Sequence, residues 1–142
     1  MRQSGFTLLE VLISILVLSI GLLGLAGVMA SSMRNSHSAY QRTQATWLAY
    51  DMIDRMRVNR ATAIASTNNY DVSMTSPTSV STGLAGTDVT SWKTLLANAL
   101  PEGKGSIDVD SNTRAVTVIV QWNDSRGTLG SSTQQLRVDS QL

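Results

Sequence analysis

The sequence predicts an α+β chain: a long N-terminal α-helix packed against a small antiparallel β-sheet. Three observations predict it. From Val11 to Met33 there are 23 residues without a charged side chain. Soon after that run, apolar residues recur at helical spacing between Ala45 and Met56. Toward the C-terminus, short segments alternate apolar and polar residues between turn-forming ones.

The first helix is expected from Phe6 to Ala65. Its first half is apolar all round, as a helix surrounded by lipid or by other helices must be. At ~1.5 Å per residue the uncharged run alone spans about 35 Å, enough for a bilayer core of ~30 Å. Its interruptions are small: Ser14, Ser19, Gly21, Gly24 and Gly27. Each glycine costs about 1 kcal/mol relative to alanine inside a helix. Close packing against other helices is the simpler account of them, and a segment able to bend or unwind is the sharper one. The second half is amphipathic. Ala45, Leu48, Ala49, Met52, Ile53 and Met56 form one stripe that should pack on the rest of the chain. Asp51, Asp54, Arg55, Arg57 and Arg60 mostly lie off it, and Asp51–Arg55 is an i,i+4 pair.

Between Ser66 and Ser91, twelve of 26 residues are serine or threonine. With Pro77, Gly83 and Gly86, this reads as a long solvated loop with room for one short strand. Val89 to Leu100 follows as a short helix. Trp92, Leu95, Leu96, Ala99 and Leu100 would share its inner face, Thr90 or Ser91 would cap it, and Pro101 with Gly103 would end it. Strands are expected over Ser106–Asp110, Arg114–Trp122 and Thr133–Asp139, with turns at Asp110–Thr113 and Asn123–Gly127. That makes a meander of three or four strands. Its apolar face (Ile107, Val109, Val116, Val118, Val120, Trp122) should lie on the stripe of the long helix. Trp92 and Trp122 are expected in the core. Trp47, one place off the stripe, can face the core or a neighbouring molecule.

The length of 142 residues permits one globular unit. Eleven basic and ten acidic residues give a net charge of +1, without the basic excess of a nucleic-acid surface. With no cysteine, disulfides, zinc–thiolate sites and thiol nucleophiles are excluded. The mean hydropathy of +0.02 is an average over two unlike parts. The stretch from Arg34 to Leu142 holds 19 of the 21 charges.

Little else suggests chemistry. His37 is the only histidine, too few for a metal site or a triad, and reads as a solvated helix residue. Asp108-Val109-Asp110-Ser111-Asn112 imitates the start of a calcium loop. However, Thr113 stands where the loop needs glycine and Ile119 where it needs glutamate, so a hairpin turn fits better. Asn123-Asp124-Ser125 matches a glycosylation sequon that turn chemistry also explains. No phosphate-binding glycine loop occurs. The chain is expected to be no enzyme and to need no cofactor or metal.

The N-terminus needs an account that treats Glu10. A cleaved secretory signal would have a shorter apolar core, and a plain anchor leaves Glu10 unexplained. A carboxylate in an apolar span costs several kcal/mol unless it is paired, so it marks function by default.

The string Gly5-Phe6-Thr7-Leu8-Leu9-Glu10-Val11-Leu12 resembles the type III signal of type IV prepilins and pseudopilins. The resemblance implies a pilin-like fold and a cut by prepilin peptidase between Gly5 and Phe6, followed by N-methylation of Phe6. Residues 1–5 would be the leader, residues 6–33 the membrane and filament-core half of the helix, and residues 34–142 the periplasmic head. Losing Arg2 with the leader would leave ten basic and ten acidic side chains. Glu10, one turn from the new amine, would pair with the amine of a neighbouring subunit and set axial register. Unlike many major pilins, the chain has no proline in the membrane half. Many pilins also close a C-terminal loop with a disulfide, which this chain, without cysteine, would replace by strand pairing and packing.

A second stretch, Arg42 to Arg60 (RTQATWLAYDMIDRMRVNR), resembles the segment after the membrane helix in PilV-type minor pilins, or type IV pilus modification proteins. Residues Ile20 to Gly27 share that resemblance, as more weakly do the Leu100-Pro101 turn and the stretch from Val116 to Gly127. It implies a minor pilin that enters or primes a type IV pilus. Its partners would be prepilin peptidase, other minor pilins, the major pilin, the assembly platform and, before assembly, membrane lipid. The location would be the bacterial inner membrane with the N-terminus cytoplasmic, then the pilus and cell surface. Two other readings stay open: a type II secretion pseudopilin, some of which bind calcium, and a single-pass anchored periplasmic binding protein.

Overall fold

The uncharged run and the stripe beyond it belong to one helix. The computed structural model describes residues 5, 7–67, 69–76 and 82–142. Helix α1 (Leu8–Val58) has 51 residues, a rod of about 77 Å at ~1.5 Å per residue. It starts where Thr7, in an extended conformation, turns its hydroxyl to accept the backbone N–H of Glu10 at 3.3 Å. This satisfies one of the first-turn donors that a helix leaves open.

The rod ends earlier than its periodicity suggests. Asn59 leaves helical geometry (φ −103°, ψ 39°) and a single further turn, α2 (Arg60–Ala63), follows. The expected run to Ala65 is therefore corrected. The reason is tertiary: Asn59 Oδ1 accepts from the Thr62 hydroxyl at 2.8 Å, while its Nδ2 donates to Tyr70 Oη at 3.0 Å. A polar side chain with two outside partners favours a break over another helical turn.

The second helix is longer than expected. Helix α3 (Gly83–Ala99) begins six residues before Val89, so the irregular stretch is shorter and Thr90 and Ser91 lie inside the helix. Thr82 stands at the cap without a side-chain hydrogen bond. The inner face is Ala85, Gly86, Val89, Trp92, Lys93 and Leu96, whereas Leu95 and Ala99 are exposed. Leu100, at the cap, is buried. Small residues at the start of α3 let it approach α1, and their loop-like composition is what hid them. Pro77 lies outside the described residues. The described part of the connecting stretch is irregular apart from one antiparallel bridge, Val72 to Ile107. Lys93 ties this stretch down, its Nζ donating to the carbonyls of Ser73 (3.1 Å) and Ser76 (2.8 Å). Burial pulls the Lys93 pKa below its ordinary value.

Strands β1 (Lys104–Asp110), β2 (Ala115–Trp122) and β3 (Gln134–Gln141) form one antiparallel sheet in the order β1-β2-β3. Each is placed within two residues of its expected bounds. Cross-strand pairs Val109↔Val116, Ile107↔Val118 and Gly105↔Val120 put buried residues side by side, and Val138 and Leu136 continue those rows on β3. Asp110 makes the first turn, its carboxylate accepting from the N–H groups of Asn112 (2.9 Å) and Thr113 (3.3 Å) and the Thr113 hydroxyl (2.7 Å).

The core forms where these surfaces meet α1. Ala45, Ala49, Met52, Ile53 and Met56 are fully buried, and Leu48 is half-buried against them. Each large member stabilises the fold by roughly 1.5–3 kcal/mol. Trp92 and Trp122 are buried as expected, and Trp92 Nε1 donates to the Leu48 carbonyl at 2.8 Å. Gly105 is required beneath that indole, since a Cβ there would sit 2.3 Å from the ring.

Candidate assembly surface

The two halves of α1 present different surfaces. From Leu8 to Met33, sixteen large apolar side chains are exposed. Soluble monomers rarely leave so continuous an apolar surface in water, and the helix is long and apolar enough to cross a membrane. The two hydroxyls deep in the span are satisfied internally: Ser14 donates to the Glu10 carbonyl and Ser19 to the Ile15 carbonyl, each at 2.7 Å. Polarity that would be costly in an apolar medium is thus already paired.

Glu10 is the exception. It sits in the first turn of α1, exposed, at the rim of a shallow groove formed with Val11, Ser14, Ile15 and Leu18. Among the described residues it has no ion-pair partner. The positive end of the helix dipole favours a carboxylate here by about 0.3–1 kcal/mol, far less than burial of an unpaired charge would cost. Its position suits a cation brought by another molecule. Gly5 is exposed on the N-terminal side. Phe6, the other residue of the expected cut, lies outside the described residues.

Gly21, Gly24 and Gly27 have open space around them, since a Cβ at any of the three would meet nothing within 4 Å. Nothing among the described residues requires glycine there, so any constraint comes from what packs against the helix.

The second half of α1 is divided. Its inner stripe holds the core, whereas Tyr40, Trp47 and Tyr50 are exposed on its other faces. Trp47, 74% exposed, takes the outward of its two expected placements. Near the end of the helix, charged side chains tie the head to α1. Arg55 bonds Asp51 at 2.9 Å and approaches Asp88 of α3 at 3.6 Å. Asp88 also accepts from Tyr70 Oη at 2.8 Å. Burial, with Asp88 adding to it, pushes the Tyr70 phenol up to about 12, against a smaller opposing effect of the Asn59 hydrogen bond. Arg57 reaches Ser140 Oγ (3.0 Å) and Arg60 the Leu142 carbonyl (3.1 Å). These bonds hold the C-terminal strand without a disulfide.

At the other end of the head, periodicity missed a polar junction. Gln41 continues the stripe one turn before Ala45 and is buried. Ser38 Oγ donates to Asp124 Oδ2, and Asp124 is buried as well. A template of apolar residues skips Gln41, and nothing local links residues 86 positions apart. His37 is exposed and lies 2.9 Å from the Gln41 amide. With Glu102, Asn123 and Arg126 they line a cavity of about 180 Å³. Among the described residues no three His, Cys, Asp or Glu side chains are placed to hold a metal ion.

Comparison with known families agrees with the N-terminal half. The prokaryotic N-terminal methylation motif matches residues 1–26. No curated protein and no solved structure matches the chain. The motif covers the apolar start of α1, and the fold supplies a small α+β head on the same rod.

Proposed function

From a type IV pilin-like protein, the premise that the motif supports, we propose a minor pilin of the PilV type. Prepilin peptidase cuts between Gly5 and Phe6 and methylates Phe6. The chain then waits in the inner membrane with its head in the periplasm, and enters or primes a type IV pilus beside other minor pilins and the major pilin. It performs no catalysis. The assembly platform draws α1 out of lipid, and the apolar half exchanges lipid for neighbouring helices.

One observation carries this reading: an apolar half-helix exposed on every side and bearing a single charge, Glu10, at its start. Lipid satisfies the apolar surface but not the carboxylate. A neighbouring subunit's N-terminal amine satisfies the carboxylate, and pairing the two charges offsets much of their desolvation.

The test is incorporation. Glu10→Leu should be processed and stay in the membrane yet be nearly lost from sheared, purified pili. Normal incorporation of that variant would refute the role of Glu10. Deleting the gene should reduce piliation. Loss of protein secretion with pili intact would instead favour a type II secretion pseudopilin.

A further inference from the structure

The loop joining β2 to β3 lies at the end of the head nearest the apolar half of α1. Sheet register fixes this. Ala115 pairs with Gln141, and Leu142 beside them is bonded to Arg60, at the far end of the helical rod. Trp122 pairs with Gln134 at the opposite end. The chain leaves β2 there, and Asp124 bonds Ser38 on α1. Ser38 is five residues beyond Met33, about 7.5 Å at ~1.5 Å per residue. A headgroup layer adds roughly 5–8 Å outside each face of the hydrocarbon core. With α1 spanning a bilayer and Met33 at its face, the Asp124 end of the loop therefore stands at headgroup level.

The loop is built tightly. Asp124 N–H donates to the Ser131 carbonyl and Gly127 N–H to the Asp124 carbonyl, both at 2.9 Å. A Cβ at Gly130 would fall 1.7 Å from the Asp124 carbonyl oxygen, and one at Gly127 2.7 Å from Asp124 Oδ1. So both glycines are needed for the loop to close on Asp124. This fixed loop holds up Leu129, which is fully exposed (102%) in the left-handed region at φ 61°. A branched apolar side chain rarely adopts that backbone. An isolated exposed leucine is ordinary, but a leucine in a left-handed conformation on a tightly closed loop at this height is not. Two cations flank the same level: Arg126 in the loop, sharing the cavity with His37, and Arg34 just past the apolar run.

We propose that this loop is a lipid contact: before assembly Leu129 enters the interfacial layer of the bilayer and Arg126 faces lipid phosphate. The head is thereby held upright on the membrane surface, and the contact is given up when the chain is extracted. Apolar insertion combined with attraction to anionic headgroups is how peripheral elements bind an interface. The inference rests on α1 spanning the membrane, and the experiment separates the two claims.

The chain has no cysteine, so single-cysteine variants of the full chain can carry an environment-sensitive fluorophore. Three positions serve: Ser19→Cys in the apolar half, Thr128→Cys beside Leu129, and Asn112→Cys at the far turn of the sheet. Each is reconstituted in phosphatidylethanolamine–phosphatidylglycerol vesicles carrying nitroxide lipids. The label at 19 should be quenched best by nitroxides deep in the acyl chains, and that at 128 best by nitroxides at the headgroup. The label at 112 should not be quenched. Adding Leu129→Asp should bring the 128 label down to the level of 112. If the label at 19 escapes quenching, the spanning reading fails. If 19 is quenched but 128 behaves like 112, the loop contact is refuted. It is likewise refuted if Leu129→Asp leaves the 128 signal unchanged, or if the 128 label responds only when other pilins are present.

Discussion

One helix, α1, serves two surroundings, and its halves differ in every respect that packing can show. The half that holds the head has a buried stripe, defined neighbours and a tryptophan hydrogen-bonded to its backbone. The half toward the N-terminus is without internal neighbours among the described residues, with exposed apolar side chains all round and glycines with open space beside them. Helix formation alone distinguishes neither half. What differs is where each half finds its burial: the first must find it outside the molecule, and the second has it already.

The comparison can be broken most strongly by truncation. Met52→Ala, or Trp92→Ala in the same core, should destabilise the head by about 2–5 kcal/mol. Leu16→Ala should leave head stability within ~0.5 kcal/mol. Urea unfolding of the detergent-solubilised full chain, followed by near-ultraviolet dichroism, measures both. Equal losses would mean that the N-terminal half supports the head after all.

Glycine substitutions sharpen it further, because the same change should have opposite signs. Gly105→Ala drives a methyl group into the Trp92 ring and should cost about 1–3 kcal/mol. Gly24→Ala meets nothing and should strengthen the isolated helix by up to ~1 kcal/mol. If its open face packs against other helices, the same change lowers incorporation into pili.

A smaller effect comes from the Tyr70 cluster. Tyr70→Phe removes the bonds to Asp88 and Asn59 and should cost about 1 kcal/mol. The phenol's ordinary pKa of 10.0 is raised to about 12 in the fold. The unfolded chain therefore loses its proton first, and its ionisation favours unfolding as pH rises from 10 toward 12. The wild-type head should lose stability through that window, and Tyr70→Phe should lose less. Denaturation midpoints at several alkaline pH values measure the difference. Smallest of all, Asp54→Asn breaks an exposed pair with Arg57 (2.9 Å) and should change stability by less than ~0.5 kcal/mol in the same urea titration.

The same division explains what could be read from sequence. Wherever one face of an element is buried by apolar residues, period carries the information, so Ala45 to Met56 and Val116 to Trp122 were legible to the residue. The start of α3 was not, because its buried positions are Ala85 and Gly86, whose composition resembles a loop. The end of α1 was overread because Asn59 breaks it through Thr62 and through Tyr70, a partner eleven residues away. Ser38, Gln41 and Asp124 form a polar junction between distant segments, which periodicity does not encode. The proposed processing between Gly5 and Phe6 rests on the N-terminal motif, not on the packing described for the head.

The central claim is that the N-terminal half of α1 is made to leave the molecule's own fold and enter a processed assembly. Intact-mass measurement of the chain extracted from its native membrane, with and without prepilin peptidase, tests it most directly. The account predicts a mature chain starting at Phe6 that carries one added methyl group, and the full precursor when the peptidase is absent. A chain retaining Met1 to Gly5 in the presence of active peptidase would contradict it.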